Sequence, residues 1–452
     1  MNWKINSLLQ DAINNFKRNN FLEAKILLLK ILNIEPKNFD ALNVIGVING
    51  NENNHLAALN FFKKAQKIRP DYNLINYNLA KSYSVIGKDM EAIKYYEIAI
   101  KLDKNHLGSL LNFGKSLHQL KRYDEALGHY DQAIKLKPDF VDAYYNKALT
   151  KLCLGDYEEG WNLYKYRWKR GPTGYRYCDS KLLDNISDLK NKKILVWHEQ
   201  GLGDTIMFSR YVNQLIDIGA VIIFEVQQDL ESFFRSQFRC KIVNKVSPLE
   251  FFDFHVPLLD LPKLFNTSLD NIPFNRSYLK VEHKKKKEWE KKLKLSKKKF
   301  NVGVSISGNK SHKRNHIRSL PLKKMEPFLD KANLFIIQKE LCNDDIKFLN
   351  NHKEINFLGK EINNFSDTAA IVENMDLIIS IDTSLIHLAG ALGKKSFLML
   401  SYSADWRWLL ERNSSPWYYS VKIFRQKLIG NWNFVINEIQ LEFNNLKLKF
   451  NI

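Results

Sequence analysis

The chain has 452 residues, is 45% hydrophobic and carries a formal net charge of +20. That length exceeds one typical domain, so two or three are expected, and the hydrophobic share is that of ordinary soluble globular proteins. No apolar run reaches the roughly 20 residues that span a bilayer, and the scattered Cys153, Cys178, Cys240 and Cys342 form no Cys-x-x-Cys pair that would suggest a zinc site or a disulfide framework.

The opening MNWKINSLLQDAINNF is polar at helical spacing and lacks a signal-peptide core. A cytoplasmic location is the expectation that follows. Beyond it, Ala24, Ala58, Ala92 and Ala126 fall 34 residues apart, and Pro36, Pro70 and Pro138 keep the same period with Lys104 in the remaining slot. Small residues recur at Gly46, Ala80, Gly114 and Ala148, and aromatics at Phe62, Tyr96, Tyr130 and Tyr164. This pattern resembles the tetratricopeptide repeat, two antiparallel helices per unit. We place the array at residues 1–170, with Gly160 and the aromatic Trp161–Trp168 stretch marking a modified end unit. Asn78, Asn112 and Asn146 share one repeat position on the first helix of their units, the helix that faces the groove in this repeat class. Such a row suits the backbone of an extended peptide, or it is a spacer's ordinary composition.

A linker at 171–190 precedes alternating strands and helices, which suggest parallel α/β structure. The first α/β half, 191–282, opens with a strand at Lys193 to Trp197, the glycine turn His198-Glu199-Gln200-Gly201-Leu202-Gly203-Asp204, a helix over Thr205 to Ile218 and a strand at Val221 to Val226. Gly201 and Gly203 permit close approach of a ligand to the backbone, although the spacing departs from the dinucleotide fingerprint.

Ten lysines against three glutamates occupy Val281 to Phe300, over a third of the charge excess. The block has no arginine and one aromatic, Trp289, so it lacks the forks and stacking platforms of nucleic-acid recognition. No nucleic-acid partner is expected. Residues 283–299 read as a solvated helix and connector, with peripheral contact to an acidic membrane as the functional alternative.

The second half, 300–428, has expected strands at Asn301 to Ile306, Leu334 to Ile337, Leu377 to Ile381 and Ser396 to Leu400. An amphipathic helix over Trp432 to Leu446 falls in the closing segment, 429–452. Its most informative stretch is Asp376 to Gly393, DLIISIDTSLIHLAGALG, a buried-type strand, a polar turn and a small-residue helix. Asp382, Thr383 and Ser384 are helix-capping types, and a strand feeding a helix N-terminus favours anions. Lys310, Lys313 and Arg318 stand in a cation-crowded segment earlier in this half, while Gln338 and Glu340 follow a strand end that suits either ligand reading or a surface loop. DWRWLLERNSSPWYYS, from Asp405 to Ser420, is aromatic enough to wall a cleft, although core packing explains most such residues.

The GLGDTIMF turn, SGNKSHKRNHIRSLPL and DTSLIHLAGALG, in that order, resemble the heptosyltransferase-type glycosyltransferases of GT-B fold, in a subgroup with N-terminal tetratricopeptide repeats. The resemblance spans about residues 193 to 428. It implies an α-solenoid followed by a GT-B-like pair of Rossmann-like lobes and inverting transfer from a nucleotide sugar, which is substrate and not cofactor. It also implies no catalytic metal, and no Asp-x-Asp occurs in the chain. By the same resemblance Asp204 is the general base, with His198 and Glu199 as alternatives and a helix cap as its structural role. Asp382, Thr383, Ser384 and His387 take the donor's diphosphate and ribose. The acceptor is a glycan or, if the repeats hold it, a polypeptide. A repeat scaffold that has lost catalysis is the third reading.

Overall fold

The computed structural model describes residues 2–171, 176–177, 179–274, 276–309 and 315–450. Contacts divide the chain into two compact units, 1–150 and 151–452.

The first unit is a series of helix pairs: α1 (Asn2–Lys17) with α2 (Phe21–Ile34), α3 (Phe39–Asn51) with α4 (His55–Ile68), α5 (Asn73–Val85) with α6 (Asp89–Leu102), and α7 (Leu107–Gln119) with α8 (Tyr123–Leu136). The unit boundary falls inside α9 (Val141–Leu154). The 34-residue period recurs in the backbone, because Asn19, Asn53, Gly87, Lys121 and Gly155 all have positive φ, from 60° to 84°. Each breaks a helix so that the chain can double back. The small residue of the repeat lies against its aromatic. A Cβ on Gly46 would stand 2.4 Å from the Phe62 ring, and one on Gly114 would stand 2.5 Å from that of Tyr130. Prolines 36, 70 and 138 follow the ends of α2, α4 and α8, where no further helical hydrogen bond is needed.

The second unit opens with α10 (Tyr157–Tyr164) and a 3-10 turn, Lys165–Lys169. Its first sheet holds β1 (Lys193–Trp197), β2 (Val221–Glu225), β3 (Lys241–Val243) and β4 (Phe254–Pro257), all parallel in the order β3-β2-β1-β4. Its helices are α11 (Leu202–Phe208), α12 (Arg210–Asp217), α13 (Gln228–Phe234) and α14 (Leu261–Leu264), with α15 (His283–Lys292) following. The single helix expected over Thr205 to Ile218 is broken at Ser209. There the Ser209 hydroxyl donates to Ile206 O at 2.8 Å and Arg210 Nε to Met207 O at 2.8 Å, so side chains take carbonyls that a continuous helix would use.

The second sheet contains β5 (Phe300–Ser305), β6 (Ala332–Ile336), β7 (Asn356–Phe357), β8 (Leu377–Ile381), β9 (Ser396–Leu400) and β10 (Val421–Arg425). Between them run α16 (Asn315–Arg318), α17 (Asn343–Asn351), α18 (Phe365–Glu373) and α19 (Ser384–Ala391), and α20 (Trp432–Phe450) closes the described chain. Strand order is β10-β9-β8-β5-β6-β7, again all parallel. From the edge strand β7 the chain returns through α18 to the far side of β5, which puts a topological switch point between β5 and β8. Strands β5 and β8 are buried at every residue, as parallel strands covered on both faces are. The adjoining core includes Val435, Ile439 and Phe443 of α20.

The lysine-rich segment is not solvated on every side. Trp289 of α15 is buried, and its indole donates to Asp367 Oδ1 at 2.9 Å, while Lys285 and Lys286 pair with Asp367 and Glu373 at 2.8 and 3.3 Å. No helix among the described residues is long and apolar enough to cross a membrane.

Glycine's two roles in the first unit predict opposite signs. Gly87→Ala, at φ 77°, should destabilise the protein by about 1 kcal/mol. Gly128→Ala, in the exposed face of α8 with nothing within 4 Å of the added carbon, should stabilise it by about 1 kcal/mol. Urea midpoints followed by circular dichroism measure both.

Candidate functional site

The turn after β1 and the turn after β8 meet. Gly201 precedes α11, and Asp204 at its third position accepts the Gly201 N–H at 2.9 Å through Oδ2, a capping arrangement. Gly203 faces α19. A Cβ there would lie 2.7 Å from His387 Cδ2 and 3.4 Å from Ser384 Cα, so only glycine lets the two helix N-termini come this close.

The remaining Asp204 oxygen is paired with Arg407, which approaches from the β9–β10 connection. Arg407 also pairs with Asp405 at 2.7 Å, and its side chain is only 7% exposed, against 18% for Asp204. Burial opposes the guanidinium's charge, and Asp204 and Asp405 more than offset it. Arg407 Nε has no hydrogen-bond partner among the described residues. The next two residues complete the wall: Trp408 stacks on His387 at 5.2 Å, and Leu409 sits at φ 53°, a strained backbone for a residue with a side chain.

His387 projects from α19, with Nδ1 3.0 Å from the Tyr418 hydroxyl and Nε2 3.7 Å from Asp382 Oδ1. Burial pushes the Asp382 carboxyl up. The His387 hydrogen bond and charge, then Trp408 and Arg407, outweigh burial and hold it below the ordinary aspartate value. Asp382, Thr383 and Ser384 are half-buried at the head of α19, and the Thr383 hydroxyl lies 3.3 Å from that of Ser380. Arg318 bridges the switch point. Its Nη1 donates to Asp382 O at 3.2 Å, and its guanidinium lies over Gly308, where a Cβ would come within 2.4 Å of Nη2. Arg318 Nε also has no hydrogen-bond partner among the described residues, and the Trp408 indole N–H faces the Asp382 carboxylate.

Other expected site residues do different work. The Gln338 side chain clips the end of β6 to the end of β5, accepting from Ile306 N at 2.8 Å and donating to Ser307 Oγ at 2.8 Å and Glu340 O at 2.8 Å. Glu199 is buried and takes both arms of Arg167 at 2.8 Å plus the Leu259 N–H at 3.1 Å. Burial holds its carboxyl above the usual value despite Arg167, and its oxygens are committed to structure. Burial, then the Arg176 charge, lowers the His198 imidazole, which stands 3.9 Å from Glu225. His198 and Glu225 line a cavity of about 600 Å³ with Arg176, Tyr177, Lys245 and Phe252. Lys310 and Lys313 lie outside the described residues.

In the first unit Asn78 Nδ2 donates to Asn43 Oδ1 at 3.3 Å and Asn112 Nδ2 to the Tyr77 hydroxyl at 3.2 Å, tying neighbouring helix pairs together. Asn146 instead bonds its own helix, at Asp142 O.

Arg210 had no sequence signal. Wholly buried, it donates to Pro273 O at 3.1 Å and Trp417 O at 3.0 Å, with its guanidinium 4.6 Å from the Tyr278 ring centre.

Family models described as "TPR repeat" and "Tetratricopeptide repeat" match residues 114–155 and residues 39–72 and 75–106 respectively. The helix pairs within these ranges are tetratricopeptide repeats. Protein FlbA of Caulobacter vibrioides is 23% identical over 319 residues, 64% of this chain and 52% of that protein, so the chain spans about half the length of the curated relative it matches. Among solved structures, MamA has 19% identity and a TM-score of 0.35 over 40% of this chain and 98% of its own. YrrB, described as a TPR protein with an unusual peptide-binding site, has 20% identity and a TM-score of 0.33 over 36% of this chain and 85% of its own.

Because the folded-state value of Asp382 lies below 3.8, its charge stabilises the unit above that pH, and the stabilisation is lost as pH falls through the depressed value. Asp382→Asn should therefore flatten the fall in urea midpoint between pH 5 and pH 2, measured against wild type.

Proposed function

We propose that the α/β unit transfers a sugar from a nucleotide-sugar donor to an acceptor hydroxyl, the activity implied by its resemblance to heptosyltransferase-type glycosyltransferases. The observation that carries this reading is the switch point between β5 and β8. There the head of α19, Arg318 Nε and Arg407 Nε bring N–H donors that lack acceptors among the described residues to the crevice where open α/β sheets bind ligands. A diphosphate supplies the acceptor oxygens they lack.

In this reading Thr383 and Ser384 hold the diphosphate through hydroxyls and helix amides, and His387 and Asp382 meet ribose or sugar hydroxyls. Arg318, with Lys310 and Lys313, offsets the charge of the leaving nucleoside diphosphate, and Gln338 and Glu340 border the nucleoside. Asp204, fixed by Gly201 and Arg407, takes the acceptor proton with the lone pairs those bonds leave free. The acceptor enters on the side of His198, Gly201 and Gly203. Inversion and independence from metal come from the resemblance alone. Tetratricopeptide arrays commonly bind peptides or proteins, which makes a polypeptide a reasonable acceptor to test beside a glycan. The second reading, a scaffold that binds nucleotides without transfer, is favoured by the engagement of both Asp204 oxygens.

A panel of nucleotide sugars, scored for binding and for donor turnover, tests the proposal. Wild type should bind and turn over at least one donor. Asp204→Ala should keep donor binding and slow transfer by about 10²- to 10⁴-fold, and His387→Ala should weaken binding. Binding with no turnover, indifferent to Asp204→Ala, would favour the scaffold; no binding at all would end the enzyme reading.

A further inference from the structure

The junction of α11 and α19 holds a charge surplus that an incoming diphosphate must overcome. Among the described residues three carboxylates, Asp204, Asp382 and Asp405, gather around two guanidiniums, Arg318 and Arg407. Arg407 is the cation common to both turns. It pairs with Asp204 on the α11 side, and its neighbour Trp408 stacks on the His387 ring, which touches Gly203 and faces Asp382. More than nine-tenths of the Arg407 side chain is buried, yet its Nε finds no acceptor among the described residues. A guanidinium keeps its proton at any working pH, so what can change is the partner that claims it.

We propose that Arg407 is held in turn by Asp204 and by the departing nucleoside diphosphate, which couples proton acceptance at one to bond breaking at the other. The inference rests on the glycosyltransferase reading above. In the step, the acceptor oxygen bonds to the anomeric carbon and its proton passes to Asp204. The bond between the anomeric carbon and the phosphate oxygen breaks, and its electron pair leaves with the diphosphate. Asp204 thereby becomes neutral and loosens its hold on Arg407 at the moment negative charge grows on the leaving group. Asp405 remains as the anchor of the guanidinium, at 2.7 Å. The groups facing this exchange are Asp204 on α11, Asp382 and His387 at the head of α19, Asp405 on the β9–β10 connection and Tyr164 at the end of α10. The Arg407 charge is felt at Asp382, which is consistent with a reach as far as the α19 turn.

The exchange makes an unusual demand of one substitution. Asp204→Asn imitates the protonated base, so it should abolish transfer and yet tighten the binding of the product. Titration calorimetry of the full chain with UDP, GDP, ADP and CDP should find one diphosphate that binds wild type and binds Asp204→Asn about tenfold tighter. The gain should vanish when Arg407→Gln is added to Asp204→Asn. Should Asp204→Asn prove misfolded by circular dichroism, Asp405→Asn, which keeps a capping side chain and leaves the base intact, should also tighten the diphosphate, and that gain too should vanish when Arg407→Gln is added. The exchange is overturned if the diphosphate binds wild type and the Asp204→Asn variant equally, or if tightening persists in the Arg407→Gln background, which would mark simple charge repulsion. Wild type that binds none of the four nucleotides would overturn the glycosyltransferase reading and this inference together.

Discussion

Burying a guanidinium costs several kcal/mol of lost hydration, and at Arg407 that cost is offset by carboxylates from two places far apart in sequence. Asp405 lies two residues away, whereas Asp204 lies 203 residues away at the head of α11. The glycine turn after β1 and the aromatic turn after β9 are therefore fixed to one another by charge, and the close packing of Gly203 on α19 follows within that constraint. A second buried arginine works at the opposite end of the same short helix. Arg210 donates to the Met207 carbonyl, where a cation complements the negative end of a helix, while Asp204 complements the positive end. Helix α11 is thus gripped by opposite charges at its two ends.

The two sheets repeat one plan. Each runs outward through three strands and returns to place its fourth beside the first, as β3-β2-β1-β4 and β7-β6-β5-β8. Each plan creates a crevice at the carboxyl ends of the strands, yet the crevices are filled differently. In the first, the buried Arg167, Glu199 and Asp260 cluster satisfies its own charges beside the cavity that His198 and Glu225 line. The second leaves N–H donors unmet among the described residues at Arg318 and Arg407. The difference lies in the side chains, since the backbone course is shared.

The sequence carries the helical array plainly because the same information is written several times, and the alanine, proline and aromatic positions at 34-residue spacing agree with one another. Strands β1, β2, β5, β6, β8 and β9 were legible as largely apolar runs of four to six residues. The others were not. β3 and β7 have three and two residues, too few for any period, and β10 follows an aromatic-rich stretch that hides its alternation. At the candidate site, capping by Asp204 and the polar turn at Asp382 could be read locally because their causes are local. The pairing with Arg407 could not, since nothing near residue 204 announces a partner two hundred residues on. Gln338 shows another limit: a polar residue at a strand end is legible, but not that its amide clips two strand ends together.

The approach of Gly203 to His387 also bears on how this chain can vary. With 2.7 Å between the His387 ring and the position a Cβ would occupy, Gly203 cannot gain a side chain while the imidazole stays unless a helix moves. Among relatives that keep the junction, the two positions should therefore drift together, a larger residue at 203 appearing only where a smaller one has replaced the imidazole at 387. Where such an exchange has occurred, the loss of the ring would also release Asp382 and Tyr418 from their shared partner, so one steric substitution would alter the chemistry of the whole turn.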